Sequence, residues 1–179
     1  GNYFDGELPS KVASHKDWHI YWAKLVGNTE VNLNNTKING PEFTVTDLDG
    51  NTITSDELYE RNKVTVLYQW GKWCGASLAF NKTLRGMLDT YGSKGFEILG
   101  AYSRKYETEQ EIKDYITTYI PWKNFLMTYN TTNYIIQFGF SGNLPRLIVI
   151  DNNKQVIFQS LTLTEDLNDL PLILYEYFE

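Results

Sequence analysis

Cysteine is nearly absent from this chain of 179 residues, and Cys74 is its single cysteine. No disulfide can therefore form within the chain, and cysteine usage does not indicate a redox compartment. Histidine is almost as scarce, and the two histidines, His15 and His19, have the i, i+4 spacing that can hold zinc on a helix. Two ligands without a nearby general base are too few for a typical zinc site. We expect neither a metal nor another cofactor.

Long apolar runs are also missing, since no stretch approaches the ~20 residues that a membrane-spanning helix requires. Basic residues are outnumbered, with 16 Lys and Arg against 22 Asp and Glu and a net charge of −6. This balance argues against nucleic acid or an anionic membrane surface as the main partner. The chain begins at Gly1 instead of Met, and we expect that a signal segment has been removed before it.

Aromatic residues are abundant, at 15% of a chain that is 42% hydrophobic, and this composition predicts a large core. The length fits one domain with an extension better than two domains. Residues 1–39 are predicted to be an N-terminal extension and linker, and residues 40–179 are the predicted domain. A predicted helix in the extension carries four apolar side chains at helical spacing, Trp18, Tyr21, Trp22 and Leu25. We expect this stripe to pack on the domain.

The pattern of apolar and turn residues predicts alternating strands and helices after a hairpin. The predicted strands are 43–46, 52–54, 63–70, 96–102, 146–150 and 155–160. The predicted helices are 55–61, capped by Ser55, then 74–91, 108–119, 133–138 and 166–178, the last interrupted near Pro171. This order predicts an α/β fold with a central mixed sheet and helices on both of its faces.

The segment Trp70–Ser77 lies between a predicted buried strand and a predicted helix. Cys74 would then sit at the start of the helix, where unpaired N–H groups and the helix dipole favour a thiolate. We predict a reactive, solvent-accessible thiol at this position. The alternative is an inert buried cysteine, which behaves as a small hydrophobic residue.

Three stretches in order resemble the thioredoxin-like superfamily, and within it the TlpA/ResA-type extracytoplasmic branch that overlaps with the AhpC/TSA group. Gly40–Asn51 is similar to the hairpin that opens such domains, and Val66–Cys74 is similar to the strand leading into the redox helix. Gly142–Asp151 is similar to the family's cis-proline loop and next strand. The resemblance runs from about Gly40 to Glu179. It implies a thioredoxin-like central mixed sheet flanked by helices on both faces, with an N-terminal hairpin and a helical extension.

The resemblance also implies a substrate groove around Cys74. In this family the loop proline follows a cis peptide bond, and the backbone before it pairs with an extended substrate segment by β-strand addition. The residues concerned are Leu144 and Pro145 here. The predicted substrate-binding residues are Trp73, Gly75, Ala76, Leu144 and Pro145.

Two positions depart from the family pattern. Ser77 stands where a CxxC motif has its resolving cysteine, and Tyr68 stands six residues before Cys74, where members often carry an acidic or amide residue. Ser77, the second predicted catalytic residue, could donate a hydrogen bond to the Cys74 thiolate or only bond a backbone carbonyl. The peroxiredoxin pattern also fails, because Gly71 occupies the position of its threonine. We therefore do not assign the full dithiol reductase or peroxidase activity of these families to this chain.

Two functions of different classes remain. The first is thiol–disulfide exchange through Cys74 alone, with a thiol- or disulfide-bearing protein or a small thiol as partner. Its expected place is the bacterial envelope, either in the periplasm or anchored to the membrane through the removed signal segment. The second is a non-catalytic thioredoxin-like module that binds an extended peptide at the Pro145 loop. Tyr68 and Trp70 could line the rim of the groove with Trp73, or they could belong to the core.

Overall fold

After a short hairpin, strands and helices mostly alternate along the described residues, and two successive strands precede the last helix, as the sequence predicts. The computed structural model describes residues 38–128, 144–160 and 166–178. Within these ranges the strands are β1 (Thr44–Thr46), β2 (Thr52–Thr54), β3 (Val64–Trp70), β4 (Phe96–Tyr102), β5 (Lys123–Leu126), β6 (Arg146–Asp151) and β7 (Val156–Gln159). The helices are α1 (Ser55–Arg61), α2 (Gly75–Tyr91), α3 (Glu109–Tyr119) and α4 (Leu170–Phe178), with 3-10 turns at Gly92–Lys94 and Asp166–Asp169.

The central sheet is mixed and has the strand order β5-β4-β3-β6-β7. β3 lies in its middle, parallel to β4 and antiparallel to β6, and β4 is parallel to β5. β1 and β2 pair antiparallel as a separate hairpin, whose turn is closed by the Asp47 carboxylate accepting the N–H groups of Asp49 and Asn51. The predicted thioredoxin-like α/β class is confirmed.

β3 is buried over its whole length because both faces of the sheet are covered. On one face the ring of Tyr68 packs on α2, and the ring of Trp70 packs on α3. On the other face the Thr65 hydroxyl donates to the carbonyl oxygen of Leu58 in α1. Burial on two sides explains why this segment appears in the sequence as an uninterrupted apolar run instead of an alternating one.

The placement of Tyr68 and Trp70 at a groove rim is wrong, because neither side chain has any exposed surface. The indole N–H of Trp70 donates to Asn124 Oδ1 in β5 at 2.9 Å. Gly100 in β4 makes room for this bond, since a Cβ there would lie 1.9 Å from the same oxygen. Both aromatic residues therefore belong to the core, and the groove can use neither ring.

Two local features differ from the sequence prediction. β5 is a four-residue edge strand that begins with exposed Lys123, and a run this short carries no readable alternation. Ser55 is not the cap of α1. The Thr54 side chain caps this helix by accepting the Glu57 N–H, while the buried Ser55 hydroxyl accepts the Phe43 N–H at 3.1 Å. Ser55 therefore ties α1 to the hairpin.

Several predicted features lie outside the described residues, namely the extension over 1–37 with its apolar helix, the helix at 133–138 and the start of the proline loop at 142–143. The domain boundary after residue 39 stays a prediction. Next to it, the Gly40 N–H donates to the Lys154 carbonyl at 2.8 Å. In the ranges that the structure does describe, no helix has both the length and the apolar character needed to span a bilayer.

Candidate functional site

Cys74 is the N-cap residue of α2, at the turn that follows β3. Its backbone is extended, with φ −101° and ψ 111°. Its carbonyl accepts the Leu78 N–H at 3.1 Å, and its own N–H donates to the Gly71 carbonyl at 3.0 Å. The residue is partly exposed. The predicted position at a helix start is confirmed, and the helix N–H groups there favour a thiolate. The reactivity of the thiol stays a prediction.

The segment before β6 brings Leu144 and Pro145 to Cys74. The register between β3 and β6 pairs Gln69 with Arg146, so Pro145 lies beside the end of β3. The Leu144–Pro145 peptide bond is cis, the geometry expected for this loop. The Cys74 thiol donates to the Leu144 carbonyl oxygen at 3.4 Å. Two predicted site segments that are far apart in sequence therefore meet at the sulfur.

Ser77 lies in the first turn of α2 and is completely buried. In the part of the chain that the structure describes, nothing forms a hydrogen bond with its hydroxyl, or with either polar atom of the buried Asn81 side chain one turn further along. The hydroxyl thus bonds neither the Cys74 sulfur nor a backbone carbonyl, which were the two partners predicted for it. A catalytic role of Ser77 stays a prediction.

Tyr68 lies beneath the first turn of α2. Its hydroxyl donates to the Ser77 carbonyl oxygen at 3.1 Å. Burial raises the pKa of this phenol far above its ordinary value, so it stays neutral. A neutral phenol whose proton is already donated cannot accept a proton in the way that a carboxylate at this position would.

The loop after β4 supports the exposed side of the site. Trp73 is 43% exposed, and its indole N–H donates to the Ser103 carbonyl at 2.8 Å. Gly71 permits this bond, because a Cβ at that position would lie 2.6 Å from the indole nitrogen. The segment 103–107 is not among the residues predicted for the site. The available signal was topological, since loops that follow neighbouring parallel strands meet at one edge of the sheet.

A chain of hydrogen bonds joins the loop after β3 to the loop after β4. The Lys72 N–H donates to the Tyr102 hydroxyl oxygen at 3.3 Å, and that hydroxyl donates to the Glu107 carboxylate at 2.9 Å. The same carboxylate accepts the N–H groups of Lys105 and Tyr106, each at 3.0 Å. These bonds fix the main chain of both loops beside the N-terminus of α2.

The predicted substrate-binding residues fall into two environments. Trp73 and Gly75 are exposed and Ala76 is partly exposed, and a Cβ at Gly75 would have no other atom within 4 Å. Leu144 and Pro145 are buried beside the sulfur. The site is thus exposed to solvent at the start of α2 and buried at the proline loop. The binding role of all five residues stays a prediction.

The chemistry that this site offers is that of one sulfur atom beside a backbone carbonyl. Across residues 38–128, 144–160 and 166–178, no three His, Cys, Asp or Glu side chains lie together as metal ligands. His15 and His19 lie outside these ranges.

A cysteine at the start of the helix after the central strand, facing a cis-proline loop, defines the class of thioredoxin-like proteins. The family model described as thioredoxin-like matches residues 62–156. The chain belongs to this thioredoxin-like family. Over 76 residues it is 29% identical to a thioredoxin-like protein of Haemophilus influenzae, and the alignment covers 42% of this chain and 42% of that relative.

Solved structures share the fold of this chain. A thiol:disulfide interchange protein of the thioredoxin family from Chlorobium tepidum superimposes with a TM-score of 0.68 at 19% identity, covering 82% of this chain and 99% of that one. A thiol:disulfide interchange protein from Bacteroides sp. gives a TM-score of 0.66 at 19% identity, covering 80% and 90%. At such identities the likeness is one of fold alone.

Proposed function

We propose that this protein carries out thiol–disulfide exchange through Cys74 alone, forming a mixed disulfide with a protein or low-molecular-weight disulfide. One observation carries the proposal: the partly exposed Cys74 lies at the N-terminus of α2, with its sulfur 3.4 Å from the Leu144 carbonyl oxygen. A helix N-terminus favours the thiolate, which is the nucleophile in such exchange. The backbone at Leu144 offers an extended substrate segment a hydrogen-bonding edge beside the sulfur.

The proposed exchange has two steps. In the first, the Cys74 thiolate attacks one sulfur of the substrate disulfide, a new S–S bond forms, and the other substrate sulfur leaves as a thiolate that is protonated by solvent. In the second, a thiol of the substrate or a small thiol such as glutathione attacks the mixed disulfide. This attack releases the Cys74 thiolate and leaves a disulfide on the incoming thiol.

The chain supplies no thiol of its own for the second step. Cys74 is its single cysteine, and the Ser77 hydroxyl cannot replace sulfur in a disulfide. Tyr68, in the position of the family's acid, donates its proton to the Ser77 carbonyl and cannot act as a base. Both differences affect release of the mixed disulfide and leave the initial attack intact. We therefore expect a long-lived mixed disulfide that only an external thiol removes.

We place this exchange in the bacterial envelope. Proteins of the same fold from Chlorobium tepidum and Bacteroides are thiol:disulfide interchange proteins, and protein disulfides persist mainly in oxidising compartments. The partner would be a secreted protein with a disulfide or free cysteine, or a small thiol. Fractionation of cells that express the full-length native protein tests this location. Recovery in the cytoplasmic fraction would refute it.

Incubation with oxidised glutathione tests the mechanism. The intact mass should show one glutathione adduct, which a reduced thiol removes and which Cys74→Ser does not form. In an insulin-reduction assay the natural protein should turn over far more slowly than a dithiol thioredoxin, because nothing within the chain releases the intermediate. Rapid insulin reduction by the natural protein would contradict the monothiol mechanism.

Ser77→Cys sharpens this experiment. The new thiol lies in CxxC spacing with Cys74, so it should shorten the lifetime of the mixed disulfide and add insulin-reductase activity. Ser93→Cys is the matched control, since exposed Ser93 follows the C-terminal end of α2, about 25 Å along the helix from Cys74. Equal gains in the two variants would show that position 77 has no special relation to the sulfur.

A non-catalytic peptide-binding module is the second candidate. It is favoured by the absence of a second thiol from the sequence and by Tyr68 in the acid position. Alkylation of Cys74 by a neutral reagent, followed against pH, separates the two candidates. Rapid alkylation at neutral pH supports exchange. Slow alkylation, no glutathione adduct and unchanged peptide binding by Cys74→Ser would instead support the module.

A further inference from the structure

Two exposed aromatic rings flank a lysine at the edge of the candidate site. The Lys105 ammonium lies 5.1 Å from the centroid of the Trp73 ring and 5.3 Å from that of the Tyr106 ring. Tyr106 is 88% exposed and Trp73 is 43% exposed. Since Trp73 directly precedes Cys74, this Trp73–Lys105–Tyr106 patch borders the sulfur.

Among the described residues, no carboxylate forms an ion pair with the positive charge at this patch. Within the described ranges neither Lys105 nor the adjacent exposed Arg104 takes part in an ion pair. The neighbouring carboxylates form no ion pair with these two cations: Glu107 accepts the main-chain N–H groups of Lys105 and Tyr106, and Glu111 accepts the Thr108 N–H. Glu109 lies in the first turn of α3, whose dipole it complements. The two cations therefore face solvent next to the site.

The main chain that carries Lys105 is held in place before any substrate arrives. The Trp73 indole is bonded to the Ser103 carbonyl, and the Glu107 carboxylate accepts the N–H groups of Lys105 and Tyr106. Binding to a surface whose backbone is already ordered loses less conformational entropy than binding to a mobile loop. The patch therefore presents a held Trp73 indole beside an ordered main chain that carries Lys105 and Tyr106.

We propose that this patch selects substrates that carry a carboxylate within a few residues of the reacting sulfur. The proposal rests on the exchange function proposed above and names a substrate preference for it. An extended substrate strand beside Leu144 advances about 3.3 Å per residue, so side chains close to its cysteine reach the Trp73 side of the site. There the rings supply apolar contact and the Lys105 ammonium pairs with the carboxylate.

The test uses two peptides of equal length, each with one cysteine blocked as a 2-pyridyl disulfide. Two positions flanking the cysteine are Asp in one peptide and Lys in the other. The Cys74 thiolate attacks the peptide sulfur, a Cys74–peptide S–S bond forms, and the S–S bond to the pyridyl group breaks. The leaving pyridine-2-thiolate keeps the electron pair and takes a proton from solvent to give neutral pyridine-2-thione, which is followed by its absorbance. Because the leaving group is the same for both peptides, any charge preference comes from the peptide.

The Asp peptide should react about two- to fivefold faster than the Lys peptide at low salt, as expected for one exposed ion pair. High salt should shrink this difference. The net charge of −6 would by itself favour the Lys peptide, so a preference for the Asp peptide requires a local cause such as the patch.

Lys105→Glu should abolish or reverse the preference. Lys94→Glu is the matched control, because it makes the same charge change at a lysine that also lies over an aromatic ring, 5.6 Å from the Tyr91 centroid. Lys94 follows the C-terminal end of α2, whereas Cys74 precedes its N-terminal end, so this variant should keep the preference. Loss of the preference in both variants would show that net charge, not the patch, causes it.

The outcomes separate this proposal from the proposed function. If the two peptides react at equal rates and the adducts depend on Cys74, the proposed carboxylate preference is wrong, while thiol–disulfide exchange at Cys74 is supported. If neither peptide forms an adduct, the proposed thiol–disulfide exchange is wrong. The carboxylate preference is then tested by reversible binding of the same peptides with serine in place of cysteine. Tighter binding of the Asp peptide, followed through the Trp73 indole N–H resonance, would support the patch, and equal binding would overturn it.

Discussion

Trp70 and Trp73 stand three residues apart, yet they have opposite relations to solvent. Trp70 is completely buried, and its indole N–H donates to Asn124 Oδ1 at 2.9 Å. Trp73 is 43% exposed, and its indole N–H donates to the Ser103 carbonyl at 2.8 Å. Each indole has a hydrogen-bond acceptor, so the two residues differ in packing and not in polar satisfaction. The change from scaffold to open site therefore takes place between the last residue of β3 and the first turn of α2.

Substituting each tryptophan by alanine should give the largest difference. Trp70→Ala should lower the free energy of unfolding by about 3–5 kcal/mol, because it leaves a cavity in the core and removes the partner of Asn124. Trp73→Ala should lower it by no more than about 1.5 kcal/mol, since the ring is half in water and loses one hydrogen bond. Urea-induced unfolding of the two variants measures both values. Equal losses would mean that Trp73 is part of the scaffold after all.

Two glycines allow the same comparison at the backbone. Gly100→Ala should cost about 1–3 kcal/mol of stability, because its Cβ would lie 1.9 Å from Asn124 Oδ1 and would displace the acceptor of the Trp70 indole. Gly75→Ala, with no atom within 4 Å of the new Cβ, should be neutral or stabilise by up to about 1 kcal/mol. Thermal and urea unfolding check both variants. A stable Gly100→Ala protein would contradict the proposed packing around Trp70.

The strand and helix around Cys74 could be predicted from the sequence because their signals are local. An apolar run marks β3, helical periodicity marks α2, and the cysteine stands between them. The resemblance of the Leu144–Pro145 loop then identified a second segment that the structure brings to the sulfur. Conformation could be predicted wherever a pattern within one segment determines it.

The separation of Trp70 from Trp73 could not be predicted in the same way. It depends on Asn124 in a strand too short to recognise and on Ser103 in the loop after β4. The partners lie 54 and 30 residues away along the chain, and only the assembled sheet brings them to the indoles. The same holds for Lys105, whose relation to the site is a consequence of the parallel pairing of β3 with β4.

Gly71→Ala should displace the Trp73 indole while lowering the free energy of unfolding only slightly. The new Cβ would lie 2.6 Å from the indole nitrogen and 3.0 Å from the Ser103 carbonyl oxygen, so the indole must move. Loss of that hydrogen bond should lower the free energy of unfolding by about 0.5–1.5 kcal/mol. The indole N–H resonance should shift, and mixed-disulfide formation at Cys74 should slow if Trp73 contacts substrate.

A double-mutant cycle is the control for this prediction. In the Trp73→Phe background no indole N–H remains to be displaced, so adding Gly71→Ala should have little further effect on the rate of adduct formation. A further loss as large as that in the natural background would show that Gly71 acts on the site independently of Trp73.

Acidification should have the smallest effect. It should change the surroundings of the exposed Trp73 and leave those of the buried Trp70 unchanged. Burial acts to raise the pKa of Glu107, but hydrogen bonds from the N–H groups of Lys105 and Tyr106 and from the Tyr102 hydroxyl outweigh it, so the pKa lies below the ordinary glutamate value. A lowered folded pKa means that the carboxylate stabilises the loop at all pH values above the ordinary range and stops doing so as pH falls through the folded pKa. The Trp73 indole N–H resonance should therefore titrate in this acidic window. Glu107→Gln should remove that titration, and its persistence in this variant would show that another carboxylate orders the loop.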